Sequence, residues 1–484
     1  MPQMKRIIFL MANAKSTPAL SGLQAVPPAG MLSLAGYLRQ KFPDLTMTLR
    51  DFGAEGLAEN QQLEAVRAFA PDMIGLSARS FLYPATARLA ESLKRLLPEV
   101  PIIMGGQHVT LLGEDHSWPD CFDCVVFGEG EEAFARLAAA AQRGENLPRR
   151  TRGAVLGEIS HVPAWDILAS AKNYRRAYTP FFTDAIGSVV WSRGCPFNCF
   201  FCSGPAIWAG CKPRVRYRTP ASVCAEMELL SSRFGVRRVF VHDDTLNANL
   251  EKLRAILEEL RRRRAPLTWG AAGMRANQTL TPEWLFPLLW KAGCRYVSFG
   301  IESGSPQVLQ KLNRRVTHEE IERALALAVR GGFKTCGGFT IGHVWPGPDG
   351  DLEGEHEQDL ITTLDYMRSL LRRRLLWSIQ MSVITPLPGS PLFAAVTAQN
   401  LQLSDDLEQI GACDRVRLTF KHPHLTPAQV NTYYQRAYRL VSLSPRHIWH
   451  LISQVKDVDD LRGLLRTGFF IMRNRLSLGT VAGG

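Results

Sequence analysis

The amino-acid sequence predicts an α/β protein: an N-terminal doubly wound, Rossmann-like domain, a central partial (β/α)6 barrel of the TIM type, and a C-terminal helical region. Two observations support this fold class. Apolar runs of strand length alternate with amphipathic runs of helix length, first up to residue 141 and again from residue 187; this alternation is typical of parallel sheets. After residue 395 the pattern is that of helices. We expect domains at 1–141, 187–395 and 396–484, and a linker at 142–186.

The N-terminal series ends its strands with small or turn-forming residues. We expect strands at 6–11, 45–52, 72–79, 101–106 and the start of 124–141, and helices at 30–42, 60–71, 85–98 and the rest of 124–141. Ligands of doubly wound sheets bind beyond the carboxyl ends of the strands. Those ends carry Ser77, Gly105, Gly106, Gly128 and Gly130. Glycine there either leaves room for a large ligand or only permits a tight turn.

The central series has six strands, two fewer than a complete eight-fold barrel. The strands are expected at 187–194, 237–243, 267–273, 295–303, 333–342 and 375–384, and the helices at 220–234, 250–264, 282–292, 317–330 and 355–371. A partial barrel has an open side, which another domain or a large substrate can close.

Three cysteines lie just after the first strand of this series. Cys195, Cys199 and Cys202 are spaced C-x3-C-x2-C. A structural zinc site normally takes four protein ligands in two separated pairs, and the spacing of nearby Cys211 fits no such pair. Iron–sulfur clusters are held by cysteine thiolates. Three thiolates on a four-iron cluster leave one iron open to a substrate or cofactor, which explains why three cysteines suffice.

The motif in this setting resembles the radical S-adenosylmethionine (SAM) superfamily. Phe201 occupies the position before the third cysteine, where that family usually has an aromatic residue beside the adenine of SAM. The resemblance implies a [4Fe–4S] cluster on Cys195, Cys199 and Cys202, SAM as second cofactor, and reductive cleavage of SAM. It also implies an electron donor of the flavodoxin or ferredoxin type.

Further strand ends resemble the SAM-binding positions of the same family. Asp243 and Asp244 match the end of the second strand, which handles the amino-acid part of SAM, although an acidic helix start would look the same. Arg275 is a candidate partner of the SAM carboxylate. Glu302 is a candidate for the ribose hydroxyls and Ser303 for the carboxylate. Gly338 and Ile341 lie in the fifth-strand segment that flanks adenine, where His343, Val344 and Trp345 depart from the family pattern by delaying its Pro-Gly.

The N-terminal domain resembles the cobalamin-binding domain of the B12-dependent radical SAM subfamily. The similar segments are VPPAGMLSLAGYL, GLSARS, MGGQHVT and FGEGEEAF. The resemblance implies that Ser77, Gly105, Gly106, Gly128 and Gly130 face cobalamin. The motif D-x-H-x-x-G is missing, and neither His108 nor His116 has its spacing. We therefore expect base-off cobalamin without a histidine below cobalt; a domain that kept the fold and lost the cofactor is the alternative.

Length, composition and charge limit the remaining expectations about location and binding partners. The chain has 484 residues, ten cysteines and a net charge of +12. No stretch approaches the ~20 apolar residues of a spanning helix, and the short apolar start does not fit a signal peptide, so we expect a cytoplasmic protein. Of the basic runs at 148–152, 261–264 and 372–374, the last two lie at or near the ends of predicted helices. The runs lack interleaved aromatic residues, which argues against nucleic-acid binding. Cys121, Cys124 and Cys336 are interpreted as structural.

The resemblance implies methyl transfer to an unactivated carbon or phosphorus of a small-molecule, lipid or natural-product substrate. A cyclase or rearrangement enzyme similar to tetrapyrrole cyclases is the alternative, because both activities occur in the subfamily. We expect His343 and Trp345, with the C-terminal helices, to line the gap between the cofactors. The basic, aromatic-rich C-terminal segments are interpreted as a cap on the barrel, in preference to a membrane-surface contact.

Overall fold

A computed structural model describes most of the chain. The described residues are 5–13, 26–169, 174, 187–264, 267–404, 407, 418–442, 444–453, 455, 458, 461 and 465. Of these, no helix combines the length and apolar character needed to cross a membrane.

The first sheet is parallel, with strand order β2-β1-β3-β4-β5-β6. Its strands are β1 (Arg6–Met11), β2 (Thr46–Asp51), β3 (Met73–Ser77), β4 (Ile102–Gly105), β5 (Cys124–Phe127) and β6 (Arg150–Arg152). The inner strands are runs of β-branched and other apolar residues buried on both faces, as parallel sheets covered by helices require.

Helices cover both faces of this sheet. They are α1 (Ala29–Lys41), α2 (Phe52–Glu55), α3 (Glu59–Phe69), α4 (Tyr83–Leu96), α5 (Gln107–Leu112) and α6 (Gly130–Gln142). Leu32 of α1 and Phe134 of α6 belong to one apolar core, while Leu89 and Leu93 of α4 belong to a second core on the opposite face. The doubly wound arrangement predicted from the alternating pattern is confirmed.

The stretch expected to be a linker extends the first sheet and also contacts the barrel domain. Within it, β6 extends the first sheet, and Ile159 forms a bridge with Arg218 of the barrel. Trp165 is fully buried, and its indole nitrogen donates to Glu226 at 2.7 Å. The sequence did not predict β6 or α5, because the edge strand RTR has no apolar pattern and α5 has only six residues.

The second sheet is a six-stranded partial barrel with strand order β16-β13-β12-β11-β10-β7. Its strands are parallel: β7 (Gly187–Val189), β10 (Arg238–Val241), β11 (Thr268–Met274), β12 (Cys294–Glu302), β13 (Lys334–Ile341) and β16 (Ser378–Val383). The first predicted strand is interrupted, so that Ser192 and Arg193 instead form the short strand β8, paired with β9 (Arg216–Tyr217). The predicted open side lies between the edge strands β7 and β16.

Helices follow the barrel strands: the five expected ones are present, together with three that were not predicted. They are α7 (Gly204–Ile207), α8 (Pro220–Phe234), α9 (Leu250–Arg263), α10 (Leu285–Lys291), α11 (Pro306–Lys311), α12 (His318–Arg330), α13 (Glu357–Arg372) and α14 (Pro391–Ala398). One unpredicted feature is the hairpin of β14 (Val344–Pro346) and β15 (Leu352–Gly354), which accounts for the delayed Pro-Gly after the fifth strand.

Two C-terminal helices, α15 (Pro427–Ser442) and α16 (Pro445–Ser453), follow the barrel. Tyr438 of α15 donates to the carbonyl of Met381 in edge strand β16 at 3.2 Å, and Tyr433 donates to Glu357 at 2.8 Å. A cap against this side of the barrel is therefore present. Most of the third expected helical segment, after residue 455, lies outside the described residues.

Candidate active site

The carboxyl ends of both parallel sheets face one shared cavity of about 590 Å³. All five residues expected to face cobalamin line it: Ser77, Gly105, Gly106, Gly128 and Gly130. The barrel contributes residues that follow its first two strands, among them Trp191, Arg193, His242 and Asp244. The sequence predicted each set of strand ends separately, and the structure brings the two sets together.

Two of the cavity glycines are required by the turns themselves. Gly106 has φ +102° and Gly128 has φ +77°, in the left-handed region that favours glycine. A Cβ on Gly106 would also lie 2.5 Å from the hydroxyl of Ser77. Gly105 and Gly130 have no such φ, although a Cβ on Gly130 would meet Leu34 at 2.8 Å. Tight turns and close packing together shape this edge.

The three cysteines lie in the loop after β8, and each thiol has a polar neighbour. Cys195 Sγ lies 3.2 Å from the hydroxyl of Thr245, and the amide of Gly204 donates to Cys202 Sγ at 3.3 Å. Cys199 accepts from two guanidinium groups, those of Arg275 at 3.5 Å and Arg314 at 3.6 Å. Donors aimed at sulfur suit thiolates that ligate a cluster.

Three further observations bear on metal binding by the cysteine loop. Within the described ranges, no set of three His, Cys, Asp or Glu side chains converges closely enough to hold one metal ion. Gly194 has φ +100°, and a Cβ there would lie 1.8 Å from the carbonyl of Arg214, so only glycine fits where the loop begins. Burial raises the pKa of the Cys202 thiol to about 11, so a thiolate at this position needs a bound metal to stabilise its charge.

Cys211 lies apart from this loop. It lines the cavity, and Arg216 donates to its Sγ at 3.9 Å. It thus stands among the residues that join the two sheets.

Asp243 and Asp244 have different surroundings. Asp243 is buried, and its carboxylate accepts from the amide of Trp191 at 2.7 Å and the hydroxyl of Ser192 at 2.5 Å. Burial raises its pKa to about 7. Asp244 lines the cavity and accepts from the indole of Trp208 at 2.8 Å. The alternative of an acidic helix start is wrong, because the next helix begins at Leu250 and is capped by Asn249. Asp243 instead anchors the segment after the first strand, and Asp244 faces the space where a ligand can bind.

Glu302 and Ser303 end the fourth barrel strand. Glu302 has φ +72°, accepts from Thr340 at 2.7 Å and forms an ion pair with Arg314 at 3.5 Å. Ser303 is fully buried and its hydroxyl lies 3.1 Å from that of Thr363. Glu302 is thus held in a strained conformation beside the cysteine loop, whereas the polar group of Ser303 already has a partner inside the protein.

The residues expected near adenine are apolar or small. Ile341 is buried, and a Cβ placed on Gly338 would have its nearest heavy atom at 3.6 Å. Phe201 is half-buried and its ring lies 5.4 Å from that of His343. Phe201 and Ile341 thus offer apolar side chains, which suit contact with the face of a purine base.

His343 and Trp345 do not line the cavity, contrary to expectation. His343 is fully buried, Trp345 is nearly so, and both pack behind Phe201. The reason is Glu355, which follows the unpredicted hairpin and accepts from the amides of Gly342 and His343 at 2.6 and 3.0 Å. These bonds fold the segment inward.

Charged residues at the cavity floor connect the two sheets. Glu129 and Glu131, which follow β5, pair with Arg216 and Arg193 of the β8–β9 hairpin, and all four side chains are largely buried. Burial lowers the pKa of His161 to about 4, so that this neighbouring ring is neutral near pH 7. Sequence reasoning missed this cluster and Arg314, because their partners lie far away in the chain.

Residues 189–349 match the radical SAM superfamily, and residues 19–138 match the B12 binding domain. The chain thus combines a radical SAM domain with a B12-binding domain. This combination confirms the family predicted from the three cysteines and the glycine-rich strand ends. The expected cofactors, a [4Fe–4S] cluster, SAM and cobalamin, agree with this pair of domains.

The chain is similar in sequence to proteins named as methyltransferases and to proteins named as cyclases. An uncharacterised methyltransferase of Pyrococcus horikoshii is 28% identical over 467 residues, which covers 91% of this chain and 94% of that protein. The anaerobic magnesium-protoporphyrin IX monomethyl ester cyclase of Rubrivivax gelatinosus is 28% identical over 416 residues, covering 80% of this chain and 69% of that protein.

Solved structures share the fold. The radical SAM methyltransferase TsrM from Kitasatospora setae, with cobalamin and a [4Fe–4S] cluster bound, superimposes with a TM-score of 0.64 at 18% identity, covering 94% of this chain and 90% of that chain. OxsB, with aqua-cobalamin and SAM bound, gives a TM-score of 0.67 at 15% identity and covers 99% of this chain and 76% of that chain. The complete three-part architecture therefore recurs in other proteins.

Proposed function

We propose that this radical SAM enzyme is a cobalamin-dependent methyltransferase that acts on an unactivated carbon or a phosphorus centre of a small-molecule substrate. The shared cavity carries the proposal, because it brings the glycine-rich edge of the B12-binding domain to the mouth of the barrel. When bound, the cluster supplies the electron that cleaves SAM and cobalamin carries the methyl group. An electron donor of the flavodoxin or ferredoxin type is part of the proposal.

The roles of individual residues follow from their positions. We propose that Cys195, Cys199 and Cys202 hold the cluster, and that Glu302 orients the SAM ribose. Asp244 is suited to the SAM amino group, because its carboxylate faces the cavity and is fixed by Trp208. Phe201, Gly338 and Ile341 enclose the adenine base. Ser77 and the glycines Gly105, Gly106, Gly128 and Gly130 face cobalamin.

Isotope transfer tests the reaction. The reconstituted full-length chain, given SAM labelled on its methyl group and a candidate substrate from neighbouring genes, should yield labelled product, S-adenosylhomocysteine and 5′-deoxyadenosine. A variant with all three motif cysteines changed to Ala should form no 5′-deoxyadenosine. A triple variant that still forms it would overturn the assignment of the cluster.

A cyclase or rearrangement enzyme is the second candidate, and the Rubrivivax cyclase is the specific observation that favours it. The same assay separates the two reactions. An altered but unlabelled product, formed with 5′-deoxyadenosine and without S-adenosylhomocysteine, would establish the cyclase or rearrangement activity instead of methyl transfer.

A further inference from the structure

Cys199 differs from the other two motif cysteines in its electrostatic surroundings. Its Sγ accepts from two guanidinium groups, while Cys195 lies beside a neutral hydroxyl and Cys202 beside a backbone amide. Arg275 and Arg314 are 4% and 6% exposed, so solvent screens their charges poorly. Arginine stays protonated in proteins, and two positively charged groups therefore lie against one sulfur atom; one of them, Arg314, also pairs with Glu302.

Other contacts hold Arg275 in this position. Its guanidinium lies 3.8 Å above the ring of Phe197, and its Nε donates to Asn277 at 3.2 Å. It also donates to the carbonyl of Arg314. Because the planar group is fixed by stacking and by several hydrogen bonds, its charge is directed at Cys199 rather than into the cavity.

Arg314 is fixed from the opposite side. It donates to the carbonyl of Gly300 and forms an ion pair with Glu302 at 3.5 Å. A Cβ on Gly300 would lie 3.0 Å from its Nη2, so the glycine permits this close approach. Arg314 thus connects the proposed ribose-binding carboxylate with a proposed cluster ligand.

We propose that Arg275 and Arg314 are positioning residues that raise the reduction potential of the [4Fe–4S] cluster through their charged hydrogen bonds to Cys199. This inference rests on the proposed function, because it requires the cluster. Reduction adds one electron, supplied in the experiment by dithionite, and increases the negative charge of the cluster and its thiolates without breaking a bond in the chain. Nearby positive charge and hydrogen bonds to sulfur stabilise that reduced state.

The test measures the midpoint potential by EPR-monitored titration of the anaerobically reconstituted full-length chain without SAM. We expect Arg275→Gln and Arg314→Gln to shift the midpoint to more negative values while about four irons per chain are retained. Arg275→Lys should restore part of the shift, because it keeps the charge. Arg315→Gln is the matched control, since the guanidinium of that exposed neighbour donates to Asn313 instead.

Cluster-loaded Gln variants with an unchanged or more positive midpoint would overturn the inference. If a Gln variant does not load iron, the corresponding Lys variant is measured instead. Because lysine lacks the planar guanidinium, its midpoint potential should still be more negative than that of the arginine-containing native chain. An unchanged midpoint in the Lys variant would count against the inference. A wild-type chain that assembles no cluster contradicts the proposed function itself, so the two failures are distinguishable.

Discussion

At the scale of single residues, Glu302 combines an unusual backbone with a defined set of partners. Its positive φ places the carboxylate between Thr340 and Arg314, next to the cysteine loop. A non-glycine residue in this region costs of order 1–3 kcal/mol, and the surrounding bonds offset that cost. Several other described non-glycine residues share a positive φ, so it is the set of partners that distinguishes Glu302.

Replacing Glu302 should weaken SAM binding. Glu302→Gln keeps the size of the side chain but removes the charge that strengthens hydrogen bonds to ribose hydroxyls and holds Arg314. Loss of a charged hydrogen bond costs about 1.5–3 kcal/mol, so we expect roughly 10- to 100-fold weaker binding. Equilibrium dialysis with SAM, without reductant, measures it. The exposed Glu283→Gln is the control, and equal affinity in Glu302→Gln would contradict the assignment.

Glu355 should make stability depend on pH. Burial raises its pKa to about 8 in the folded chain, above the value of ~4.3 for an unperturbed Glu. The folded state therefore binds one more proton than the unfolded state between these values, and its stabilisation is lost as pH rises. Glu355→Gln keeps an oxygen that accepts from the amides of Gly342 and His343 and does not titrate.

Relative to the native chain, Glu355→Gln should gain stability between pH 5 and pH 8, by at most about 1.4 kcal/mol per pH unit. Thermal unfolding at pH 5.5 and pH 8.0 measures the difference. A difference between variant and native chain that stays constant over this interval would show that Glu355 is ionised when folded.

At the scale of elements, the turn between β4 and α5 shapes the edge of the first sheet. The main chain of Gly106 approaches Ser77 and Ala78 closely, and its positive φ starts the helix toward the cavity. Gly113, at the other end of α5, has a similar φ of +83° but nothing within 4 Å of its Cβ position. Substitutions at the two glycines therefore distinguish the effect of backbone strain from the effect of steric crowding.

We expect Gly106→Ala to lower stability by about 1–3 kcal/mol and to reduce the hydroxocobalamin retained after desalting, because the new methyl group displaces a cavity wall. Gly113→Ala should cost backbone strain alone and retain cobalamin as the native chain does. Visible absorbance measures retention, and thermal unfolding measures stability. Full retention in Gly106→Ala would show that this edge does not contact the corrin.

At the scale of the whole molecule, buried ion pairs connect the two sheets. Arg216 and Glu129 come from different domains, and Arg216 also donates to the carbonyl of Leu156 at 3.1 Å. The relative orientation of the sheets, and with it the shape of the cavity, thus depends on charges that have little access to water.

Removing one partner of this buried ion pair should loosen the contact between the two domains. Arg216→Gln leaves Glu129 in a buried site with weaker compensation, and breaking such a pair typically costs about 3–5 kcal/mol. We expect faster amide hydrogen exchange in the β8–β9 hairpin and at the start of α6. Arg143→Gln, which removes an exposed pair with Glu145, is the control and should change little. Identical exchange in both variants would contradict the role of the cluster.

The sequence by itself determined the two alternating series, the cysteine loop and the glycine-rich strand ends, because each depends on a pattern within a few residues. The helix predicted at 220–234 has the same bounds in the structure, where Thr219 caps its N-terminus and Gly235 ends it in the left-handed conformation. The family followed from the same local patterns.

Only the tertiary structure decided how the site is assembled. Arg314 reaches Cys199 across 115 positions of the chain, and Glu129 reaches Arg216 across 87. In the sequence, Arg314 and Arg315 look alike, yet one is buried on a thiol and the other is exposed. Helix and strand periodicity specify which face of an element is apolar, but contacts between distant elements depend on how those elements pack. That packing placed the charges and the cavity, whereas the inward turn of His343 depends on the hairpin that brings Glu355 to its amide.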